Sequence, residues 1–280
     1  MKHFVLIPNE QKSDAVVSAQ EIRDYIMSQG GTACVLSDAD ADTEELKKQV
    51  PADTEAILTL GGDGTILQAV HHFAALNIPF LGINLGTLGF LAEIEKENMK
   101  LAVDRLLKDE YFTEPRMMLS GSVLRDGHEI CSGEGLNDIV LHSAGLTRAM
   151  TFELSVNGEH LKTYFADGII LATPTGSTAY NLSAGGPIAM PSGEIILSTL
   201  INPHTLMARS IVLPDNVTVS VRMCGKPEER AAVSFDSDTF GDLRYGDEIL
   251  VKKSDLKIRI LKLKKDSFIE VLRNKLEISL

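Results

Sequence analysis

The chain has 280 residues, 44% of them hydrophobic, and a formal net charge of −12. That length and apolar content favour two modest cores over one large one, and no apolar run approaches the 18 residues of a membrane helix. The negative charge argues against nucleic acid as a partner, because neutralising a polyanion takes clustered Lys and Arg.

The start, Met1-Lys2-His3 with only Phe4 to Pro8 behind it, is too short for a signal peptide and reads as a first strand. A helix follows from about Ser13, taken as its N-cap, with Val16, Ala19, Ile22 and Ile26 on one face until Gly30-Gly31 stops it. Next come a strand from Thr32 to Ser37, a short helix from Asp42 to Val50 broken at Pro51, and an apolar strand from Ala56 to Leu60. A helical segment from Asn98 to Lys108 closes this first third. Such alternation implies a parallel sheet with helices on its faces.

The strand at Ala56–Leu60 opens into Gly61-Gly62-Asp63-Gly64-Thr65 and then a helix from Ile66 to Leu76. Backbone N–H groups at such a junction can hold phosphate oxygens. A carboxylate there cannot itself bind phosphate, since two anions repel. Asp63 therefore either accepts a proton from a hydroxyl that attacks a phosphoryl group, meets phosphates through a divalent cation, or only caps the following helix. The loop is neither a Walker A sequence, with no Gly-Lys-Ser/Thr behind it, nor a Gly-x-Gly-x-x-Gly fingerprint. A second glycine-bearing run, Gly82 to Phe90, follows the short strand Pro79 to Leu81 and reads as another strand-end loop.

After about Pro115 short β-type runs take over, at Met117–Leu124, Ile139–His142, Thr151–Val156, Val217–Met223, Glu248–Lys253 and Lys257–Leu261. Asp126-Gly127 and Asn157-Gly158 are strong hairpin signals. The basic stretch Lys252 to Lys265 reads as the solvated face of a strand. The run from Asp167 to Gly186 is too rich in hydroxyls in its second half for buried core and reads as a ligand-facing loop with one helical turn. Ser267 to Leu276 looks helical. Cys34, Cys131 and Cys224 are far apart and lack metal-ligand spacing, which points to a reducing compartment and no disulfide frame. His71-His72 face about 100° apart and lack a metal-spaced partner.

Together, Gly61-Gly62-Asp63-Gly64-Thr65, Leu85-Gly86-Thr87-Leu88-Gly89-Phe90-Leu91, Asn137-Asp138, Asp167-Gly168 with Thr173-Pro174-Thr175-Gly176-Ser177-Thr178-Ala179-Tyr180, and Pro203-His204-Thr205-Leu206 resemble the NAD kinase family over roughly residues 3 to 261. The resemblance implies an α/β N-terminal domain with a parallel sheet and a β-sandwich-like NAD-binding domain; with the change of character near Pro115 their expected bounds are 1–115 and 116–261, and the tail 262–280, which the resemblance covers weakly, is expected to be helical and to pack back on the first. It implies a cytoplasmic kinase, a homodimer or homotetramer, that moves the terminal phosphoryl group of ATP or polyphosphate to the 2′-hydroxyl of the adenosine ribose of NAD, with Mg²⁺ as the divalent cation. Asp63 would be the base, with Gly62 and Gly64 admitting the ligand closely. Asn137 and Asp138 would hold a ribose or the adenine. Asp167, Thr178, Ala179, Tyr180, Asn181, Leu182 and Ser183 would line the dinucleotide, and Phe90 would pack on its adenine side or belong to the core. Arg148 would offset the pyrophosphate charge. Two positions depart from the family pattern and would lie near the ligand: Phe165, where many members carry a polar or basic residue, and Asp238, where glutamine is usual. Alternatives are a related kinase acting on a lipid or sugar, and a non-catalytic NAD-sensing module.

Overall fold

A computed structural model describes residues 1–36, 42–86, 89–92, 94–144, 149–205, 207–264 and 267–277. The chain forms two compact units, one of residues 1–116 with 257–280 and one of residues 117–256.

The first unit runs β1 (His3–Pro8), α1 (Ser13–Ser28), β2 (Thr32–Val35), α2 (Thr43–Gln49), β3 (Thr54–Gly61), α3 (Asp63–Phe73), β4 (Phe80–Asn84), β5 (Ile94–Glu95) and α4 (Met99–Leu107). Its strands pair in parallel in the order β2-β1-β3-β4-β5. Parallel strands covered on both faces read as unbroken apolar runs. Phe4 and Leu6 of β1 and Ala56, Leu58 and Leu60 of β3 pack with Ile22, Ile26, Val103 and Leu106 of α1 and α4. Val5, Ile7 and Ile57, equally buried, take the opposite face. Ser13 is the first residue of α1 rather than its cap, which is Lys12 without a side-chain bond. Asp42 does cap α2, accepting the N–H groups of Glu44 and Glu45. The strand expected to end at Leu81 continues to Asn84, so Gly82 is a strand residue. A side chain at Gly82 would overlap Ile66 of α3 and Ala92, and its absence lets the helix approach the sheet.

The second unit contains β6 (Phe112–Arg125) from Met117 on, then β7 (His128–Gly135), β8 (Asp138–Ser143), β9 (Met150–Val156), β10 (Glu159–Ala166), β11 (Gly168–Ala172), α5 (Tyr180–Ser183), β12 (Ile195–Ile201), β13 (Ile211–Pro214), β14 (Val219–Met223), β15 (Ala231–Phe235), β16 (Asp238–Leu243) and β17 (Glu248–Lys262) up to Leu256. One sheet runs β10-β9-β14-β17, with β6 and β7 beyond β17; the other runs β13-β12-β11-β8-β15-β16 with every pair antiparallel. Leu119, Val123, Phe152, Leu154, Val219 and Val221 from the first meet Ile139, Leu141, Ile169, Leu171, Val233 and Phe235 from the second in a sandwich core. Asp126-Gly127 and Asn157-Gly158 turn β6 into β7 and β9 into β10, with φ of 52° and 80°, and of 51° and 79°, as tight hairpins require.

The end of β17 returns to the first unit, where Ile260 pairs in parallel with Phe80, and α6 (Ser267–Glu277) follows. The two runs Glu248–Lys253 and Lys257–Leu261 are therefore one strand. Its basic face is only partly solvated: Lys262 is buried, and Arg259 donates to the carbonyl of Asn77.

Candidate active site

In the first unit the glycine run is a strand-to-helix junction. Gly62 is the extended N-cap of α3, and its N–H donates to Thr65 Oγ1 at 3.3 Å. Asp63 begins the helix but does not cap it. Its carboxylate reaches residues far along the chain: Oδ2 accepts the N–H of Phe90 at 2.8 Å, and Oδ1 accepts those of Leu91 at 3.0 Å and Ala92 at 2.9 Å. A side chain at Gly89 would overlap this carboxylate. Asp63 thus clamps the segment after the second glycine run, and Oδ2, with one bond, keeps acceptor capacity. Gly62 and Gly64 have neither positive φ nor a neighbour within 4 Å of a built Cβ, unlike Gly61, whose Cβ would overlap Thr65. Neither packing nor backbone strain demands glycine at 62 or 64, and the space a side chain would take there is open. The Phe90 ring packs within the first unit, its centroid 5.8 Å from that of Phe268 on α6 and 5.1 Å from Lys275 Nζ.

In the second unit a single cluster gathers residues 136–138, 173–176 and 236. Asp236 accepts three successive backbone N–H groups, those of Leu136 at 2.7 Å, Asn137 at 2.8 Å and Asp138 at 3.1 Å, and its own N–H donates to the Asp138 carbonyl. From the other side, Thr173 N–H donates to Asn137 O at 2.8 Å and Thr173 Oγ1 to Leu136 O at 2.6 Å. A Cβ at Gly176 would overlap the Asn137 peptide. Burial, then the charge of Asp236, pushes the Asp138 carboxyl up to about 7.

The hydroxyl-rich run is not the open loop expected. Thr173, Thr175, Ser177 and Asn181 are buried. Hydroxyls tolerate burial when the backbone satisfies them: Thr173 Oγ1 also accepts Gly176 N–H, and Ser177 Oγ accepts Ala189 N–H. Asn181 spends its amide on Ser177 O and Pro187 O and accepts from Thr199 Oγ1, so its side chain is scaffold. Solvent-accessible surface is left to the half-buried Thr178 and Ala179 and the exposed Tyr180, Leu182 and Ser183. Asp167, half-buried, accepts from Asn202 Nδ2 at 3.0 Å, and the half-exposed Phe165 lies against His204 with ring centroids 4.9 Å apart. Asp238 is exposed at the start of β16. Arg148, Thr87, Leu88 and Leu206 lie outside the described residues. His72 Nδ1 is 2.7 Å from Thr43 Oγ1, and no group of three potential metal ligands occurs among the described residues.

Sequence reasoning passed over Asp236 and Asn202. The signal for Asp236 was faint: an Asp between two apolar runs is ordinary turn punctuation, and its partners lie about a hundred residues earlier.

Residues 6–111 match the ATP-NAD kinase N-terminal domain and residues 136–263 the ATP-NAD kinase C-terminal domain. The NAD kinase of Agathobacter rectalis is 43% identical over 282 aligned positions, covering 99% of each chain. The chain belongs to the NAD kinase family. It is accordingly a kinase by family, and its two-unit architecture is that of solved members. Yeast NADH kinase, solved with NADH, superposes with a TM-score of 0.88 at 25% identity, covering 99% of this chain and 88% of that one. The NAD kinase of Archaeoglobus fulgidus, solved with ATP, shares the fold with a TM-score of 0.75 at 23% identity, covering 99% of both chains. Among the described residues no helix is long and apolar enough to cross a membrane.

Proposed function

We propose that this kinase phosphorylates NAD at the 2′-hydroxyl of its adenosine ribose, giving NADP, with ATP or polyphosphate as donor. The observation that carries the reading is Asp63: a carboxylate fixed by three amides at a glycine turn open to a ligand, with acceptor capacity left on Oδ2. As the ribose oxygen bonds to the terminal phosphorus, the bond from that phosphorus to its bridging oxygen breaks. The hydroxyl proton passes to Asp63 Oδ2, and ADP or the shortened polyphosphate leaves.

Asn137 and Asp138 take the ribose or adenine edge, while Asp167, Thr178, Ala179, Tyr180 and Ser183 line the rest of the dinucleotide. The exposed Tyr180 offers both a ring face and a hydroxyl. Mg²⁺ would be held chiefly by the donor's phosphates and water, since Asp63 Oδ2 is the proton acceptor in this reading. When bound it would neutralise charge on the donor phosphates. The first unit would handle the donor and the second the dinucleotide, in a homodimer or homotetramer that light scattering can size.

Incubating the purified protein with Mg²⁺, NAD and either ATP or polyphosphate tests the reading. NADP is the expected product, and the donor that yields it identifies the phosphoryl source. Phosphorylation of a lipid or sugar with no NADP formed would overturn it.

A further inference from the structure

In the second unit one carboxylate, that of Asp236, fixes the backbone of residues 136–138. We propose that Asp236 is a positioning residue for NAD binding, holding the peptide that carries Asn137 and Asp138 in its binding conformation. This rests on the functional reading above, in which those two side chains meet the dinucleotide.

The N–H groups of Leu136, Asn137 and Asp138 converge on one carboxylate. Successive N–H groups in a strand point to opposite sides, so three converging on one acceptor mark a backbone bent into a nest rather than continued as a ladder. An anion is the strongest partner for such a nest. Asp236 reaches it from the turn between β15 and β16, where its φ of +50° lies in the left-handed region. The donation from its own N–H to Asp138 O closes the contact. The Asn137 peptide is thereby held from both sides, by Asp236 and by Thr173 with Gly176. Both Asp236 oxygens are engaged, Oδ1 by two amides and Oδ2 by one, which suits a support rather than a ligand contact.

Asp236 also acts through its charge. Asp138 lies opposite Ala172 in the β8–β11 register and beside the uncharged Thr173, and among the described residues Asp236 is the ionisable group whose charge acts on it. Geometry and charge can be separated with two variants. Asp236→Gly tolerates the positive φ but removes the carboxylate. Asp236→Asn keeps an oxygen for the Asn137 and Asp138 amides but removes the charge.

Steady-state kinetics of NADP formation from pH 5.5 to 9, with melting temperatures, test the proposal. For Asp236→Gly the KM for NAD should rise about tenfold or more while kcat and the donor KM stay within about threefold. Asp236→Asn should keep an NAD KM near the unmodified value at pH 8 but carry the acid limb of kcat/KM to lower pH. An unchanged NAD KM in folded Asp236→Gly overturns the proposal, as does an equal rise in both substrates' KM, which marks a general loss of structure. If Asp236→Gly does not fold, Asp236→Ser decides, because its short hydroxyl cannot gather the three amides: an unchanged NAD KM in that folded variant overturns the proposal. No NADP from the unmodified protein overturns the functional reading and this proposal with it, whereas NADP formation with unaltered variants overturns this proposal alone.

Discussion

Asp138 illustrates how a buried carboxyl is held at a cost to stability. Its carboxyl is buried near a second carboxylate, so the folded protein holds that proton up to about pH 7, whereas the unfolded chain releases it near the ordinary value of 3.8. Because the folded pKa is the higher one, stability from the protonated form is complete below about pH 4 and is lost as pH rises through 7. That gap corresponds to at most about 4 kcal/mol. Asp138→Asn should therefore melt higher than the unmodified protein at pH 8, with the difference shrinking toward pH 5, while NAD binds more weakly. Paired melting curves and calorimetry check both halves; a lower melting temperature at pH 8 would contradict the first. Asp63 poses the complementary problem, since its carboxylate both clamps residues 90–92 and, on the functional reading, takes the ribose proton. Asp63→Asn keeps the volume but turns an N–H donor toward an N–H donor, costing about 1–2 kcal/mol of stability. Turnover should fall roughly a hundredfold or more while NAD affinity changes little. Turnover, affinity and melting temperature measured on that one variant separate clamp from base: near-normal NADP formation would leave Asp63 only the clamp.

Among the elements, the hairpins are set most locally. Asn157-Gly158 adopts two left-handed residues that match the twist of β9 and β10, and Val156 pairs with Glu159 directly across the turn. Gly158→Ala puts a Cβ into a conformation L residues avoid, and should cost about 1–2 kcal/mol in urea unfolding without altering kcat. Elsewhere a long-range tie supports the turn. The hairpin after β6 is joined to the start of β17 by Arg125, which donates from Nε and Nη2 to both oxygens of the buried Asp247. Burial alone would push the Asp247 carboxyl up, but Arg125 and the Arg244 amide hold it below the usual carboxylate range. β17 was divisible in sequence because Ser254 and Asp255 interrupt its apolar alternation. In the structure Ser254 is buried and its Oγ accepts the N–H of Leu256, so the strand continues past the interruption.

At the scale of the whole molecule, the chain ends in the unit where it began. Phe268 and Val271 of α6 are buried there, and Phe268 lies against Phe90. Fully burying one such side chain contributes about 1.5–3 kcal/mol. Deleting residues 265–280 should destabilise the protein by about 2–4 kcal/mol and expose Phe90, which calorimetry of the truncated chain would show. An unchanged melting temperature would make α6 an appendage.

The sequence alone determined what short-range physics controls. The apolar periods of α1, β1 and β3, the stop at Gly30-Gly31, the two glycine hairpins and the glycine-flanked Asp63 follow from dihedral preference and hydrophobic repeat within a few residues. Of these, the glycine-flanked Asp63 is also one of the motifs that carried the family resemblance. Only the tertiary structure decided where polar groups find their partners. Asp63 meets amides 27 to 29 positions on, and Asp236 meets amides 98 to 100 positions back. Asn181 turns inward because Thr199 and two carbonyls await it. A buried polar group must be satisfied, but nothing in its neighbouring residues says by whom. That pairing is settled when distant strands come together, which is why the hydroxyl-rich run read as open loop and folded as a buried support.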